Sequence, residues 1–248
     1  MRRKLVAANW KMHGSRVANR ALLDALAAAL PGSCDVIVFA PFPYLAELIT
    51  AHASAGIGFG GQDVSAHAVG AYTGEVAAAM LGDIGCTHVL VGHSERRQYH
   101  GEDDAQVAAK FMAAQAGGLI PVLCIGETLQ QREAGATESV LARQLDAVMA
   151  VAGAPAFARA LIAYEPVWAI GSGRAATTAQ AQEAHAFIRS QLASADAKLS
   201  GLTRILYGGS VKAAHAADLF AQPDVDGGLV GGASLLASEF LAICAAAR

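Results

Sequence analysis

Short apolar runs rich in valine, isoleucine and leucine recur along the chain, and they predict buried strands. Eight runs stand out, at residues 5–8, 36–40, 57–60, 89–91, 121–125, 161–164, 205–207 and 229–230. The segments between them suit amphipathic helices, at residues 17–30, 44–52, 77–81, 105–116, 138–151, 179–193, 213–220 and 238–247. Continuous rather than alternating apolar strands indicate a parallel sheet covered by helices. The pattern predicts an α/β fold, a single (β/α)8 barrel, with an open doubly wound sheet as the alternative.

Composition and length agree with one compact unit. The chain has 248 residues, of which 54% are hydrophobic, and no Pro-rich or Ser-rich linker interrupts it, so we expect one domain over residues 1–248. The net charge of -3 and the scattered lysines and arginines argue against binding to nucleic acid or to an anionic membrane. We therefore expect a small-molecule partner.

The beginning of the chain is basic and then apolar, but the apolar run is too short for a secretory signal. No stretch reaches the length of a membrane span, and a cytoplasmic location is expected. Cys34, Cys86, Cys124 and Cys244 are far apart without a Cys-x-x-Cys pair, so we expect neither a metal site nor disulfide bonds.

Candidate chemistry collects where strands end. Glu165 follows the sixth apolar run and precedes a segment, residues 166–173, that resembles a lid. A carboxylate at a strand end suits a proton-transfer base, and the glycines Gly171 and Gly173 would let backbone amides approach an anion. An ordinary strand end followed by a Gly-rich loop is the alternative interpretation.

Polar residues follow two further strands. Asn9 and Lys11 come after the first run, where an amide and an ammonium suit an anionic substrate, although a lone lysine is commonly a solvated group. After the fourth run, Ser94 is predicted to cap a short helix, with His93 at its beginning. The positive end of a helix disfavours imidazolium, so His93 suits a neutral hydrogen-bond donor, or else a histidine held by structural hydrogen bonds.

The last two strands each end in a Gly-Gly turn, at 208–209 and 231–232, which we expect to open helices. Two such turns at neighbouring strand ends favour a phosphate site. The polar loop at residues 62–75 is long enough to predict a task, such as an arm packing into a second subunit, with a disordered excursion as the alternative.

Taken together, these motifs resemble the triosephosphate isomerase family. The resemblance rests on residues 9–12, 70–75, 91–97, 124–127, 163–173, 207–211 and 229–235, in family order. It implies interconversion of dihydroxyacetone phosphate and D-glyceraldehyde 3-phosphate without a metal or organic cofactor. The remaining alternatives are another phosphate-binding barrel isomerase or aldolase, and a catalytically silent scaffold protein.

The resemblance also implies residue roles. Glu165 corresponds to the catalytic base, His93 to the electrophile, and Lys11 and Asn9 to the groups that stabilise the oxyanion. Backbone amides at Gly171, Ser210, Gly231 and Gly232 would bind phosphate. The implied lid consists of Pro166, Val167, Trp168, Ala169, Ile170, Gly171, Ser172, Gly173, Arg174, Ala175 and Ala176.

Thr73 resembles the arm residue that reaches the partner's active site in this dimeric family, so a homodimer is implied. The chain departs from the common pattern at His13, Val69, Ser172 and at 174–176. None of these departures falls on a residue with an implied chemical role, so we expect the activity to be retained.

Overall fold

A computed structural model describes residues 2–171 and 174–248. Within those residues, eight parallel strands close into a barrel in sequence order, and the last strand pairs with the first. The strands are β1 (Leu5–Asn9), β2 (Asp35–Phe39), β3 (Ile57–Gly61), β4 (His88–Val91), β5 (Ile120–Ile125), β6 (Leu161–Tyr164), β7 (Arg204–Tyr207) and β8 (Gly227–Val230). The predicted (β/α)8 barrel is confirmed, and the open sheet is wrong.

Helices follow the strands around the outside of the barrel. They are α1 (Arg16–Ala29), α2 (Phe42–Ala51), α3 (Ala78–Asp83), α4 (Ser94–His100), α5 (Asp104–Ala116), α6 (Leu129–Glu133), α7 (Thr137–Ala152), α8 (Thr178–Ala195), α9 (Leu199–Leu202), α10 (Ala213–Phe220) and α11 (Ala237–Ala246). The sequence pattern missed α6 and α9, which are too short to show a helical period.

The core has two parts because strand side chains alternate between the two faces of the barrel. Leu5 and Ala7 of β1 point into the barrel interior, where Phe39, Val122 and Leu206 also lie. Val6 and Ala8 belong instead to the layer between strands and helices. Both faces of each strand are therefore buried, which is why the strands read as continuous apolar runs. The four cysteines are buried free thiols.

The long loop after β3 forms an arm that projects from the barrel. Its base is closed by a hydrogen bond from Ser65 N to Val76 O at 2.9 Å. Residues 67–75 are exposed in the single chain, and the Tyr72 ring stacks on His67 at 3.7 Å between centroids. The loop is thus an ordered arm rather than a disordered excursion. Among the described residues, no helix combines the length and apolar character that crossing a bilayer requires.

Candidate active site

The carboxyl ends of the strands surround a cavity of about 260 Å³. Its walls include every residue that the sequence proposed for substrate chemistry or binding: Asn9, Lys11, His93, Glu165, Gly171, Ser210, Gly231 and Gly232. Residues from β1, β4, β6, β7 and β8 meet there because parallel strands in a barrel all end at the same face. The cavity holds a carboxylate, an imidazole, an ammonium and an amide, which is enough for proton transfer on a small anion.

Glu165 lies directly after β6 and is 1% exposed. Its Oε2 accepts a hydrogen bond from Ser94 N at 2.8 Å, and its Oε1 lies 2.9 Å from His93 Nε2. Burial alone raises the pKa of such a carboxyl group, but His93, the Ser94 amide and Lys11 outweigh it and lower the pKa of Glu165. The group is therefore held ionised, as a base must be.

His93 is the N-cap of α4, and Ser94 is the first residue of the helix. The prediction of Ser94 as the cap was therefore wrong by one residue. Its Nδ1 accepts a hydrogen bond from Glu95 N at 3.2 Å. A nitrogen that accepts carries no proton, so in the neutral ring the proton is on Nε2, the atom that faces Glu165.

The charge on His93 depends on where Glu165 points. Burial lowers the pKa of this imidazole, yet the facing Glu165 carboxylate, together with Glu95, raises it above its ordinary value. Protonation of Nδ1 would end the hydrogen bond from Glu95 N. The neutral form is accordingly favoured once the Glu165 carboxylate turns away from His93.

Lys11 has a strained backbone. Its φ of 51° is the one left-handed value among non-glycine residues in the described part of the chain. Asn9 Oδ1 accepts from Lys11 N at 3.0 Å, and Gln62 Nε2 donates to Lys11 O at 2.9 Å. The ammonium donates to Glu95 Oε1 at 2.5 Å. Strain held by such contacts is typical of a functional position.

The two Gly-Gly turns differ in structure. After β8, Gly231 caps a 3-10 turn, Gly232–Leu235. After β7, the turn does not open a helix directly, which corrects that expectation; α10 begins at Ala213, as the amphipathic pattern predicted, and the Ala213 amide donates to Glu239 Oε1 at 2.8 Å. Ser210 therefore lies in a loop ahead of the helix.

The first glycine of the β7 turn makes room for the carboxylate. A Cβ atom on Gly208 would lie 2.9 Å from Glu165 Cγ. The absence of a side chain thus lets the backbone of this turn pass beside Glu165 while the turn also borders the cavity. Gly208 therefore borders both Glu165 and the cavity.

The beginning of the predicted lid segment is anchored on Glu127, which is buried and follows β5. Its Oε1 accepts from Trp168 Nε1 at 2.8 Å and from Tyr164 Oη at 3.1 Å. The Arg132 guanidinium lies 4.9 Å from the centroid of the Trp168 ring. Val167 N also donates to the Glu127 carbonyl at 3.0 Å, so both the side chain and the backbone of Glu127 hold this segment.

The rest of the proposed lid is only partly described. Pro166 is buried, Val167–Ala169 form a 3-10 turn, and Ile170 and Gly171 reach the cavity. Ser172 and Gly173 lie outside the described residues. Residues 174–176 lead into α8.

Thr73 does not belong to the cavity, because it lies in the exposed arm. Sequence reasoning also missed four contributors to the site: the Ser94 amide, Glu95, Gln62 and Glu127. Gln62 and Glu127 each follow a strand, β3 and β5. The same strand-end rule that selected Glu165 could have found them. Within the described residues, no group of three or more His, Cys, Asp or Glu is arranged to hold a metal ion.

Comparison with known proteins gives one family. The family model described as triosephosphate isomerase matches residues 4–247. A protein named triosephosphate isomerase from Thiobacillus denitrificans is 62% identical over 247 residues, covering 100% of this chain and 99% of the relative. Relatives of the same name from Stenotrophomonas maltophilia (strain K279a) and Xanthomonas campestris pv. campestris (strain 8004) are 60% and 57% identical over 248 residues, with the same shares covered. The chain therefore belongs to the triosephosphate isomerase family.

Proposed function

We propose that this isomerase interconverts dihydroxyacetone phosphate and D-glyceraldehyde 3-phosphate, with Glu165 moving the proton between the two carbons. The observation that carries the assignment of roles is the meeting of Glu165, His93, Lys11 and Asn9 around one cavity bordered by Gly-rich turns. The family and its curated relatives support the reaction. The reaction implies a role in glycolysis and gluconeogenesis, for which the cytoplasm is the proposed location.

Glu165 removes a proton from the carbon beside the substrate carbonyl and returns it to the neighbouring carbon, so that an enediolate forms and collapses. To reach the substrate, the carboxylate turns away from Ser94 N and His93 Nε2, which it contacts in the structure. Leaving these two donors removes interactions that lower its pKa. This rotation of the carboxylate therefore raises the pKa of Glu165 and makes it a stronger base when it removes the proton.

His93 acts as the electrophile through Nε2. With Nδ1 accepting from Glu95 N, the neutral ring presents Nε2–H to the substrate oxygens and passes a proton between them. A neutral histidine in this role is an established property of the family. Departure of the Glu165 carboxylate from His93 supports the neutral state, because that carboxylate is what raises the pKa of His93.

Lys11 and Asn9 stabilise the charge that develops on oxygen. The ammonium of Lys11 is directed by its pair with Glu95, and its backbone is fixed by Asn9 and Gln62. A fixed positive charge in a partly enclosed cavity lowers the energy of an oxyanion without reorganisation during the reaction. The Lys11 ammonium stabilises the developing oxyanion most when it leaves Glu95 and contacts the substrate oxygen.

The phosphate binds to backbone amides at Gly171, Ser210, Gly231 and Gly232, all of which border the cavity. Gly171 belongs to the lid, residues 166–176, so closure brings one phosphate donor with it. The Glu127–Trp168 anchor gives the lid a fixed end about which to move. Closure excludes water, strengthens the electrostatic stabilisation of the enediolate and limits loss of its phosphate.

We also propose a homodimer in which Thr73 approaches the active site of the partner subunit. Residues 67–75 are exposed in the single chain, and so is Met12, whose exposed fraction is 94%. Met12 and Phe42 border the same groove as Lys11 and Glu95. An exposed apolar surface beside the site is the feature that a second subunit would cover.

A coupled assay tests the function. Consumption of dihydroxyacetone phosphate is followed with an enzyme that oxidises glyceraldehyde 3-phosphate, and the reverse direction with one that reduces dihydroxyacetone phosphate. We expect turnover in both directions without added metal. Turnover of another sugar phosphate in place of the trioses would favour a different barrel isomerase or aldolase, and no turnover of any would favour a silent scaffold.

A further inference from the structure

Gln144 holds the backbone of a glycine that touches the proposed base. It lies on α7, outside the barrel, and is 5% exposed. Its Oε1 accepts from Gly126 N at 2.8 Å, and its Nε2 donates to Gly126 O at 3.2 Å. One side chain thus satisfies both polar groups of the residue that follows β5.

Gly126 packs directly against the backbone of Glu165. A Cβ atom built on Gly126 would lie 1.7 Å from the Glu165 carbonyl oxygen and 2.5 Å from its carbonyl carbon. In addition, Glu165 N donates to Ile125 O at 2.7 Å. The position of the Glu165 backbone is therefore set by the path of the chain at residues 125 and 126.

This junction borders open space. Gly126, Gln144 and Glu165 line a second cavity of about 600 Å³, and Glu165 is the described residue that this cavity shares with the proposed substrate cavity. Gly126 packs against Glu165 on one side and borders this cavity on another, where the hydrogen bonds from Gln144 hold it. Without them, water in this cavity would compete for the Gly126 N–H and C=O groups.

We propose that Gln144 is a positioning residue for Glu165, which acts by clamping Gly126 at the end of β5. The inference rests on the proposed role of Glu165 as the base. Proton abstraction demands close alignment, and a shift of about 1 Å costs a reaction of this kind on the order of 100-fold. The Gly126 clamp fixes the backbone from which the carboxylate extends and leaves its side chain free to turn.

Two variants at this position separate the clamp from bulk stability. Gln144→Leu keeps a branched side chain, one bond shorter than glutamine, and removes both hydrogen bonds. We expect kcat to fall about 10- to 100-fold while KM changes less than about threefold, since Lys11 and the phosphate amides are untouched. The inhibition constant of inorganic phosphate, which probes the phosphate-binding amides alone, should stay the same.

Gln144→Glu gives a pH signature that a general structural role would not. The ionised carboxylate accepts from Gly126 N but cannot donate to Gly126 O, whereas the protonated acid makes both bonds. Relative to the unmodified chain, kcat of this variant should rise as the pH is lowered from 8 toward 5.5. A kcat ratio independent of pH would contradict the clamp.

Gln115→Leu is the matched control. Gln115 on α5 also donates from Nε2 to two backbone carbonyls, of Ala156 at 2.8 Å and Arg159 at 3.2 Å, both in the 3-10 turn that precedes β6. We expect it to lose stability with an unchanged kcat. An equal fall of kcat in both leucine variants, or an unchanged kcat in Gln144→Leu, would overturn the proposal. Should Gln144→Leu fail to fold, the pH profile of Gln144→Glu decides. Failure of the proposed function is distinct, because the unmodified chain would then not isomerise triose phosphates.

Discussion

His185 is a titratable residue placed where it cannot easily take a charge. It is fully buried behind β6 and β7, where its ring meets Tyr164 edge-on at 5.8 Å, and its Nδ1 lies 3.3 Å from the Asp224 carbonyl. Burial lowers its pKa to about 4, whereas the unfolded chain has an ordinary histidine value. Below the ordinary value the unfolded state binds a proton that the folded state does not.

The sign of the effect follows from this difference. The contribution of neutral His185 to the free energy of unfolding is fully present above the ordinary histidine pKa and is lost as the pH falls toward about 4. Between pH 7 and 5 the loss from this residue amounts to about 2 kcal/mol. Urea unfolding at the two pH values measures it: His185→Gln, which keeps a donor for Asp224 O, should show a smaller pH dependence than the unmodified chain. Equal pH dependence in the two would contradict the argument.

At the residue scale, the sequence could predict which groups meet but not how each is held. Glu165, His93 and Lys11 stand out because ionisable residues rarely follow buried strands without a reason. The left-handed backbone of Lys11 and the acceptor role of His93 Nδ1 depend on contacts with Gln62 and Glu95. The Gln62 contact comes from another strand end and exists only after the barrel closes, whereas the Glu95 contact is local and exists once α4 has formed.

At the element scale, a buried group of charges ties three segments together. Lys110 on α5 donates to Asp63 at 2.8 Å and to Glu102 at 2.5 Å, and Arg96 on α4 contacts the same two carboxylates. The group links the loop after β3 with α4, which carries His93 at its N-cap. Lys110 is 8% exposed, so its charge has little access to water.

Lys110→Met should destabilise the protein strongly. It keeps most of the side-chain volume but leaves two carboxylates close together with one cation instead of two, and breaking a buried ion pair costs about 3–5 kcal/mol. Urea unfolding monitored by circular dichroism gives the value. Lys198→Met, at an exposed lysine, is the control and should change stability by less than about 0.5 kcal/mol. A similar effect of the two changes would show that the buried charges contribute little.

The hydrophobic pattern predicted the strands well because both of their faces are buried. It missed α6, although its capping box between Thr128 and Gln131 is a visible signal in the sequence. It placed the helix after β7 correctly at residues 213–220, whereas the expectation that the Gly-Gly turn opens this helix directly was wrong, because Lys212 precedes α10. Local signals mark the positions where helices can begin. Tertiary contacts, such as the hydrogen bond from the Ala213 amide to Glu239, help to select the position used.

At the scale of the whole molecule, we propose that residues 1–248 form one domain. The barrel is complete only when β8 pairs with β1, from Leu5 with Gly227 to Ala8 with Val230. The first and last strands thus depend on each other, and the eight runs of the sequence cannot fold as separate halves without leaving strand edges open. Closure of the barrel does not account for the exposed arm at residues 67–75, which contributes no strand to it.

The proposed dimer explains that arm. Light scattering should give the mass of two chains, and Thr73→Arg should shift the population toward monomers because a large charged side chain enters an interface. We expect the isomerase rate to fall with dimer content, since Thr73 is proposed to approach the partner's site. An unmodified chain that is monomeric and fully active would refute this role.

The central claim is that Glu165 carries the proton between carbons. Dihydroxyacetone phosphate incubated with the protein in D₂O and followed by proton NMR tests it most directly. The unmodified chain should introduce deuterium at the carbon beside the carbonyl as product forms. Glu165→Gln, checked for an unchanged urea midpoint, should slow both incorporation and isomerisation about 100- to 10,000-fold. Deuterium incorporation at a nearly unchanged rate in Glu165→Gln would show that another group is the base.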